Sequence, residues 1–420
     1  KTLRGTIRAA GSKNAALPIL AAALLTEEVV TLRGVPDLSD VRFMAEILRQ
    51  QGAEVAQPAP GAWVIRAGEL THRTPYDLVR KMRASVCLLG ALLGRLRRAE
   101  MAIPGGCVIG PRPIDLHLRG LEALGCAVTV EGGLVRVDAT AARGTAVDMG
   151  GPMGSTVLGT ANLVMAATLT PGLTSIQTAA REPEIVDLCG LLGKMGARIS
   201  GEGTGTILVE GVARLHGCDH TVIPDRIEVG TYLIAGAITG GDVTVEGAEP
   251  AHLEAFLGQL REAGVAVEAG PGRLRAHGRP TRPVDIVTAP HPGFPTDLQA
   301  QFMALQLLVP ARSTFTEKVY PARFMHAAEL QRMGADIAVE GAVAHVHGGK
   351  PLSGAPVMAS DLRASAALIL AALAAKGETW VQRLYHLDRG YERFEERLRA
   401  LGADIRRRPA ADLPKGFAED

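Results

Sequence analysis

Little in this chain of 420 residues points toward a charged macromolecular partner. Its 45 lysines and arginines are matched by 44 aspartates and glutamates, leaving a net charge of +1. No basic stripe interleaved with aromatics appears, and near-neutrality argues against a nucleic-acid footprint. Aromatic residues reach only 4%, which disfavours a stacking platform for single strands. Cysteine is equally scarce, since Cys87, Cys107, Cys126, Cys189 and Cys218 form an odd set without CxxC spacing. That excludes a disulfide framework and a cysteine zinc site, and it reads as a reducing compartment. The spacing of His, Cys, Asp and Glu suggests no other metal. No apolar run approaches the ~18 residues that would suggest a bilayer-spanning helix. The GxGxxG, Walker, HExxH and GxSxG motifs are all missing.

What is present is the composition of a folded chain. Hydrophobic residues make up 47%, charged residues 21%, and the mean hydropathy is +0.15, which excludes general disorder. The 49 glycines and 25 prolines are spread along the sequence rather than gathered in a block. At roughly 150 residues per domain, the length suggests two or three domains. The start carries Lys1, Arg4, Arg8 and Lys13 ahead of the apolar run Ala15 to Leu25, in the manner of a signal peptide. The missing initiator Met implies a trimmed or processed start. The repeat described next gives that run a different meaning.

A short motif, Leu-x-x-x-Gly followed by a small or β-branched residue, closes an amphipathic segment six times. Its pairs are Leu48/Gly52, Leu121/Gly125, Leu192/Gly196, Leu260/Gly264, Leu330/Gly334 and Leu398/Gly402, and the glycines are spaced 73, 71, 68, 70 and 68 residues apart. Glycine supplies the positive φ that ends a helix, and the leucine four residues earlier lies on the buried face. Alternating stretches follow, such as those from Ala53, Ala127 and Ala335, and each reads as two short strands around a turn. Every unit is therefore expected to run helix, glycine cap, hairpin.

Each unit holds a second helix, apolar on nearly all sides. These begin near Asn14, Arg83, Ser155, Glu228, Asp297 and Arg363. A helix without a polar face must be buried all round, so the inner helices pack together beneath sheet and outer helices. Six like units fit two closed domains of three better than a solenoid, whose terminal repeats would be atypical. The signal-like run is then the buried helix of the first unit.

Aligned by their glycines, the six inner helices start at Lys13, Arg83, Ser155, Arg226, Asp297 and Arg363. Four of these are cations, a placement that opposes the helix dipole by about 0.3 to 1 kcal/mol each. It makes sense where an anion sits, because free N–H groups and positive charge both attract phosphate or carboxylate. The plainer reading is a solvated turn residue, or a pair with a nearby acid such as Asp225 or Asp361. Recurrence at four equivalent positions favours a strongly anionic, phosphorylated substrate.

Three further segments concentrate chemistry. Between Ile103 and Gly120, glycines and prolines surround Cys107, with Arg112 and His117 nearby. Neighbouring cations favour thiolate and a flexible loop gives access, whereas Cys126, Cys189 and Cys218 read as buried and structural. Asp297 follows Pro295-Thr296 at a helix start, where an acid is ordinarily a cap. Arg389 precedes Gly390 ahead of the last charged helix, where a solvated arginine is the ordinary reading.

Taken in chain order, GSKNAALPIL from Gly11, YDLVRKMRAS from Tyr76, PGGCVIGPRPIDLH from Pro104, AAREPEIVD from Ala179, PDRIEVGT from Pro224, APHPGFPTD from Ala289, RFMH from Arg323, DLRAS from Asp361 and HLDRGYER from His386 closely resemble the enolpyruvyl transferase family. The resemblance spans essentially the whole chain. The PGGC loop sets it with the branch that uses UDP-N-acetylglucosamine rather than the branch that uses shikimate.

The resemblance implies an α/β fold of α+β repeats, with two inverse α/β barrel domains of three units each and buried inner helices. One domain covers 14–222 and carries the Cys107 loop as a lid; the other covers 1–13 plus 224–420, with the active site in the cleft between them. It also implies transfer of the enolpyruvyl group of phosphoenolpyruvate to the 3-hydroxyl of UDP-N-acetylglucosamine, committing that sugar to peptidoglycan synthesis. Cys107 would protonate C3, would form a covalent adduct with phosphoenolpyruvate and would be the target of fosfomycin. Asp297 would take or position the hydroxyl proton. Lys13, Arg112 and Arg389 would hold the phosphate. Arg323 and Arg363 would pair with the carboxylate, with Asp361 ordering that cluster, and Asn14 and Glu182 would complete the sugar and intermediate contacts. The UDP-sugar would be held by Arg83, the run Arg112, Pro113, Ile114, Asp115 and Leu116, the run Gly154, Ser155, Thr156 and Val157, and Val319. His117, Asp225 and Arg226 would line the cleft. No cofactor, metal, nucleic acid, membrane insertion or obligatory protein partner is implied, and the location would be cytoplasmic.

Two features depart from the family pattern, both on the nucleotide side. Cys87 stands where the best-known members carry a Trp, and Gly150 to Gly154 is unlike the lysine-containing segment of many members. They motivate one alternative, an enolpyruvyl transferase with another nucleotide or shikimate 3-phosphate as acceptor. A second alternative is a non-catalytic ligand-binding relative. It predicts that charged positions have drifted, yet Lys13, Cys107, Arg112, Asp297, Arg323, Asp361, Arg363 and Arg389 are all in place.

Overall fold

A computed structural model describes residues 1–105, 114–409 and 412. The chain folds as two compact units. One comprises Lys1–Ala10 with the described residues from Pro224 onward, and the other the described residues of 11–223. Each has its own apolar core.

In the 11–223 unit the inner helices are Lys13–Ala22, Leu88–Leu96 and Val157–Thr168, and in the other unit Arg226–Ile238, Gln299–Gln306 and Leu362–Ala374. All six are buried over most or all of their length, as sequences without a polar face require. Four carry a side-chain cap. Ser12 accepts from the Ala15 N–H, Thr156 from Gly159, Asp225 from Ile227 and Glu228, and Asp361 from Arg363 and Ala364. The other two are preceded by single 3₁₀ turns, Arg83–Cys87 and Thr296–Leu298. Within each unit the three inner helices pack on one another. At Gly90 the approach is so close that a Cβ would stand 2.3 Å from the Asn162 carbonyl oxygen, so only glycine fits there.

The outer helices are Ser39–Gln50, Asp115–Ala123, Pro183–Lys194, Glu254–Glu262, Met325–Arg332 and Phe394–Ala400. Each ends at a repeat glycine, whose φ values are 106, 93, 98, 92, 90 and 100°. The residue after each glycine donates its N–H back to the repeat leucine, at 3.0, 3.0, 2.9, 3.2, 3.1 and 3.0 Å for Leu48, Leu121, Leu192, Leu260, Leu330 and Leu398. Each glycine N–H reaches the carbonyl three residues back. The motif is thus a Schellman cap, which satisfies carbonyls that the helix end leaves open.

After five of the six glycines the chain makes the expected hairpin: Glu54–Ala59 with Ala62–Arg66, Ala127–Glu131 with Leu134–Asp138, Arg198–Ser200 with Thr206–Glu210, Ala266–Gly270 with Arg273–His277, and Asp336–Glu340 with Val343–His347. The sixth differs, because residues 403–409 after Gly402 form no strand. Asp404, Arg406, Arg407 and Arg408 break the alternation that buries one strand face, and Pro409 has no N–H to donate.

Every hairpin joins a strand that follows an inner helix. That strand often pairs in parallel with one arriving from a neighbouring repeat. Ala146–Asp148 lies beside Leu173–Gln177, and Ile286–Val287 beside Arg312–Thr316. Cys218–Thr221 pairs with Val30–Arg33, joining the third repeat back to the first. In the other unit Arg4–Arg8 pairs with Asp242–Glu246, so the first strand of the chain belongs with its last three repeats. Among the described residues no helix is long and apolar enough to cross a membrane.

Candidate active site

In the unit that runs from Pro224 onward, a charge cluster gathers around Asp297, on the 3₁₀ turn ahead of helix Gln299–Gln306. Arg323 Nη1 donates to Asp297 Oδ1 at 2.7 Å. Arg363, from the start of helix Leu362–Ala374, sends Nε and Nη2 to Oδ2 at 3.2 and 3.1 Å. The two arginine side chains are 6% and 1% exposed and that of Asp297 25%, so the carboxylate is the group of the three that faces solvent. Burial pulls both guanidiniums down. Their neighbours outweigh it: the Tyr391 phenol, Asp297 and Asp225 around Arg363, and Asp297 and Asp361 around Arg323. Both therefore sit above the ordinary arginine value.

Glu317 sets this geometry. Its buried carboxylate accepts from Thr288 Oγ1 and Thr296 Oγ1 at 2.6 and 2.9 Å and from the N–H groups of Val319 and Tyr320. Thr296 Oγ1 in turn accepts from Arg323 Nη1 at 3.0 Å. The backbone of Val319, expected to meet a sugar nucleotide, is held by this hub. Asp361 orders Arg363 through the backbone, accepting the N–H groups of Arg363 and Ala364 at 2.7 and 3.0 Å. Buried His326 lies near Asp361 and Arg323. Burial and Arg323 lower its pKa to about 4 against the opposing pull of Asp361. Arg389 lies half-buried on the turn Leu387–Arg389. With burial, it depresses His386.

Asp225 and Asp361, named above as partners for the helix-start cations, cap helices, and Asp225 also acts on Arg363 through its charge. Carboxylates paired with those cations include Asp297 for Arg363 and, in the 11–223 unit, Asp40 for Lys13. Lys13 Nζ lies 2.9 Å from Asp40 Oδ2 with side chains 9% and 2% exposed. Arg226, behind the Asp225 cap, is buried. Deeper in the same helix, Glu228 accepts from the Ala10 N–H at 2.7 Å and from Arg397 Nη1 at 3.1 Å. Burial raises its pKa to about 7, with Arg397 opposing.

The remaining expected residues of the 11–223 unit fall at helix starts and turns. Asn14 is half-buried beside Lys13. Arg83 opens its 3₁₀ turn, with Nη1 3.5 Å from the Pro104 carbonyl. Glu182 occupies the cap position of helix Pro183–Lys194 and is buried. Gly154–Ser155 pairs with Gly150–Gly151 in a two-residue antiparallel ladder, with Thr156 and Val157 leading directly into the inner helix. Asp115 is exposed in the first turn of its helix, Leu116 packs against Gly151, and Ile114 is buried in the core.

His117 is tied into the core. Its Nδ1 lies 2.9 Å from Asn162 Nδ2, while Asn162 Oδ1 accepts the Gly90 N–H at 2.7 Å. The amide nitrogen is therefore the donor, and neutral His117 carries its proton on Nε2. Cys107, Arg112 and Pro113 lie outside the described residues. Cys87 is fully buried among the inner helices, and burial alone pushes its thiol to about 12. The position that departs from the family's Trp is thus part of the core. Cys126 and Cys189 are buried as expected, but Cys218 is only half-buried, on an edge strand. Among the described residues no group of three His, Cys, Asp or Glu is placed to hold a metal ion.

Chemically, the Asp297 group is a pair of buried guanidiniums with a carboxylate at its mouth. Arg363 Nη1 is buried and makes no close hydrogen bond among the described residues, while the guanidinium as a whole interacts with the Tyr391 hydroxyl. Sequence reasoning missed Asp40 and Glu317. Asp40 reads as an ordinary first-turn acid, and Glu317 stands among polar residues with no spacing to mark it.

Known proteins share both the sequence and the fold. Residues 1–398 match the family model of EPSP synthase (3-phosphoshikimate 1-carboxyvinyltransferase). The UDP-N-acetylglucosamine 1-carboxyvinyltransferase of Magnetococcus marinus is 54% identical over 411 residues, covering 97% of each chain. That of Akkermansia muciniphila is 51% identical over 415 residues, covering 98% of this chain and 97% of the relative. Among solved structures, the enolpyruvyl transferase NikO from Streptomyces tendae aligns with a TM-score of 0.87 at 28% identity, covering 97% and 96% of the two chains. EPSP synthase from Acinetobacter baumannii aligns at 0.71 and 18% identity, over 96% of each chain, a likeness of fold.

Proposed function

The chain belongs to the EPSP synthase family of enolpyruvyl transferases, and on that premise we propose that it transfers the enolpyruvyl group of phosphoenolpyruvate to the 3-hydroxyl of UDP-N-acetylglucosamine, releasing phosphate. The UDP-sugar is the acceptor named for the relatives at 49 to 54% identity. The product serves peptidoglycan synthesis, and the enzyme works in the cytoplasm, where both substrates are available.

The reaction is an addition followed by an elimination. The sugar oxygen bonds to C2 of phosphoenolpyruvate as a proton is added at C3, giving a ketal that carries methyl, carboxylate and phosphate on one carbon. Loss of a C3 proton and of phosphate restores the double bond as an enol ether. Cys107 donates the first proton to C3 and forms the covalent adduct when it attacks C2 itself. Asp297 accepts the hydroxyl proton. Arg323 and Arg363 bind the substrate carboxylate, and Lys13, Arg112 and Arg389 bind the phosphate. Asn14 and Glu182 contact the sugar and the intermediate. Arg83, Arg112 to Leu116, Gly154 to Val157 and Val319 bind the UDP-sugar.

The single observation that carries the assignment of Asp297 is its carboxylate held between two buried guanidiniums. Preorganised cations in a dry site stabilise charge that develops in the transition state without reorganising. As the substrate carboxylate takes N–H donors from Arg363 and Arg323, Asp297 gives up part of its pairing and becomes the stronger base. The test is reaction in deuterium oxide. Phosphoenolpyruvate and UDP-N-acetylglucosamine should give an enol ether with deuterium on its methylene carbon. No enol ether, or one free of deuterium, overturns the reading.

A further inference from the structure

Behind the Asp297 and Arg363 pair lies a polar chain that no substrate contact explains. Gln301, Tyr391 and Thr231 come from three separate segments of the chain and are at most 2% exposed. Gln301 Nε2 lies 2.9 Å from the Asp297 carbonyl oxygen, 3.1 Å from Tyr391 Oη and 3.3 Å from Thr231 Oγ1. Tyr391 Oη lies 3.0 Å from Thr231 Oγ1, which lies 2.8 Å from the Ile227 carbonyl oxygen. The direction of this chain is determined. Thr231 has one proton, and the Ile227 carbonyl can only accept it. The threonine oxygen must then accept from the phenol, and the phenol oxygen must accept from Gln301. The two amide protons of Gln301 thus serve Asp297 and Tyr391. Above the phenol, the Arg363 guanidinium carbon sits 5.2 Å from the ring centroid, and the ring is backed by Phe394 at 4.8 Å.

We propose that Gln301 and Tyr391 are positioning residues: one hydrogen-bond chain that fixes the Asp297 backbone and the Arg363 guanidinium as a single unit. This rests on the roles proposed above for Asp297 and Arg363. A stability argument supports it. Gln301 Oε1 is buried without a partner among the described residues, so the side chain carries a desolvation cost that an apolar residue of equal length would not. A polar group that costs stability where methionine would fit is retained for what it positions.

The test pairs Gln301→Met with Tyr391→Phe, each read by melting temperature and by separate kcat and KM values. Both variants should keep or raise the melting temperature of the wild type, or lose only a few degrees. Their kcat should fall about 10- to 100-fold, as expected when a reacting group is misplaced by a fraction of an ångström, with KM for phosphoenolpyruvate little changed. The double variant should be scarcely worse than either single one, because both break the same chain. Tyr391→Leu also removes the ring and should weaken phosphoenolpyruvate binding about tenfold by calorimetry. A kcat within twofold of wild type, a loss of melting temperature without loss of kcat, or additive losses in the double variant would overturn the proposal. An inactive wild type would instead refute the proposed reaction. The Tyr391→Leu titration then still decides, with undiminished phosphoenolpyruvate affinity counting against positioning.

Discussion

Arg363 places both Nε and Nη2 against one oxygen of Asp297, at 3.2 and 3.1 Å. A planar guanidinium makes this side-on contact, and a lysine ammonium cannot reproduce its fork. Arg363→Lys keeps a positive charge but loses the paired donors. It should lower kcat/KM for phosphoenolpyruvate by about 100-fold or more, the loss of one or two charge-assisted hydrogen bonds. Steady-state kinetics with varied phosphoenolpyruvate reads this directly, and a change below threefold contradicts that role.

Glu228 gives the fold a pH dependence of known sign. Burial raises its pKa to about 7, with Arg397 pulling it down and Asp225 and Glu392 pushing it up. Between the ordinary glutamate value of 4.5 and about 7, the folded protein holds a proton that the unfolded chain has released, so stability contributed by this site falls as pH rises. Above that window the difference is constant. Glu228→Gln cannot titrate. Relative to this variant, the wild type should lose up to about 1.4 kcal/mol per pH unit across the window. Urea denaturation at pH 5, 6, 7 and 8 checks it, and parallel curves refute it.

Two glycines separate backbone from packing. Gly334 caps an outer helix at φ 90°, and the nearest atom to an added Cβ is 3.8 Å away. Gly334→Ala should therefore cost about 1 to 2 kcal/mol through backbone conformation alone. Gly258 lies exposed inside helix Glu254–Glu262 with nothing within 4 Å. Gly258→Ala should stabilise by about 0.5 to 1 kcal/mol. Thermal or urea unfolding of the two variants should shift in opposite directions.

The cysteines differ sharply in expected reactivity. Burial lifts Cys87, Cys126 and Cys189 to about 12, 11 and 12, so near neutral pH almost none of these thiols is thiolate, the reactive form. A brief exposure to fosfomycin, followed by peptide mass spectrometry, should modify Cys107 and leave those three unlabelled. Cys107→Ser should abolish turnover, whereas Cys107→Asp retains a group that can donate a proton. Full activity in the Ser variant removes the proton-donor role.

The fold was legible where its chemistry is local. The pair Leu260 and Gly264 lies within one helix end, so its spacing already encodes the 3.2 Å bond from Val265 back to Leu260 and the positive φ of the cap. The inner helices announced themselves by lacking any polar face. The missing sixth hairpin was also written in local sequence, in Arg406 to Pro409, but a motif seen five times invited a sixth. The site was legible only in part. Asp297, Arg323 and Arg363 stood out as charges near helix starts, yet nothing local tells that the first is gripped by residues 26 and 66 positions away. Lys13 finds Asp40 across a helix packing, and Gln301 meets Tyr391 over 90 residues. Such partners are selected by the closing of the three-repeat unit, which no spacing in the sequence records.

The choice of acceptor is the most direct test of the proposed reaction. Purified protein is incubated with phosphoenolpyruvate and, separately, UDP-N-acetylglucosamine or shikimate 3-phosphate, and released phosphate is measured with the product identified by mass spectrometry. Phosphate release with the UDP-sugar, matched by an equal amount of its enolpyruvyl ether, is the predicted result. Release with shikimate 3-phosphate and none with the UDP-sugar would contradict it.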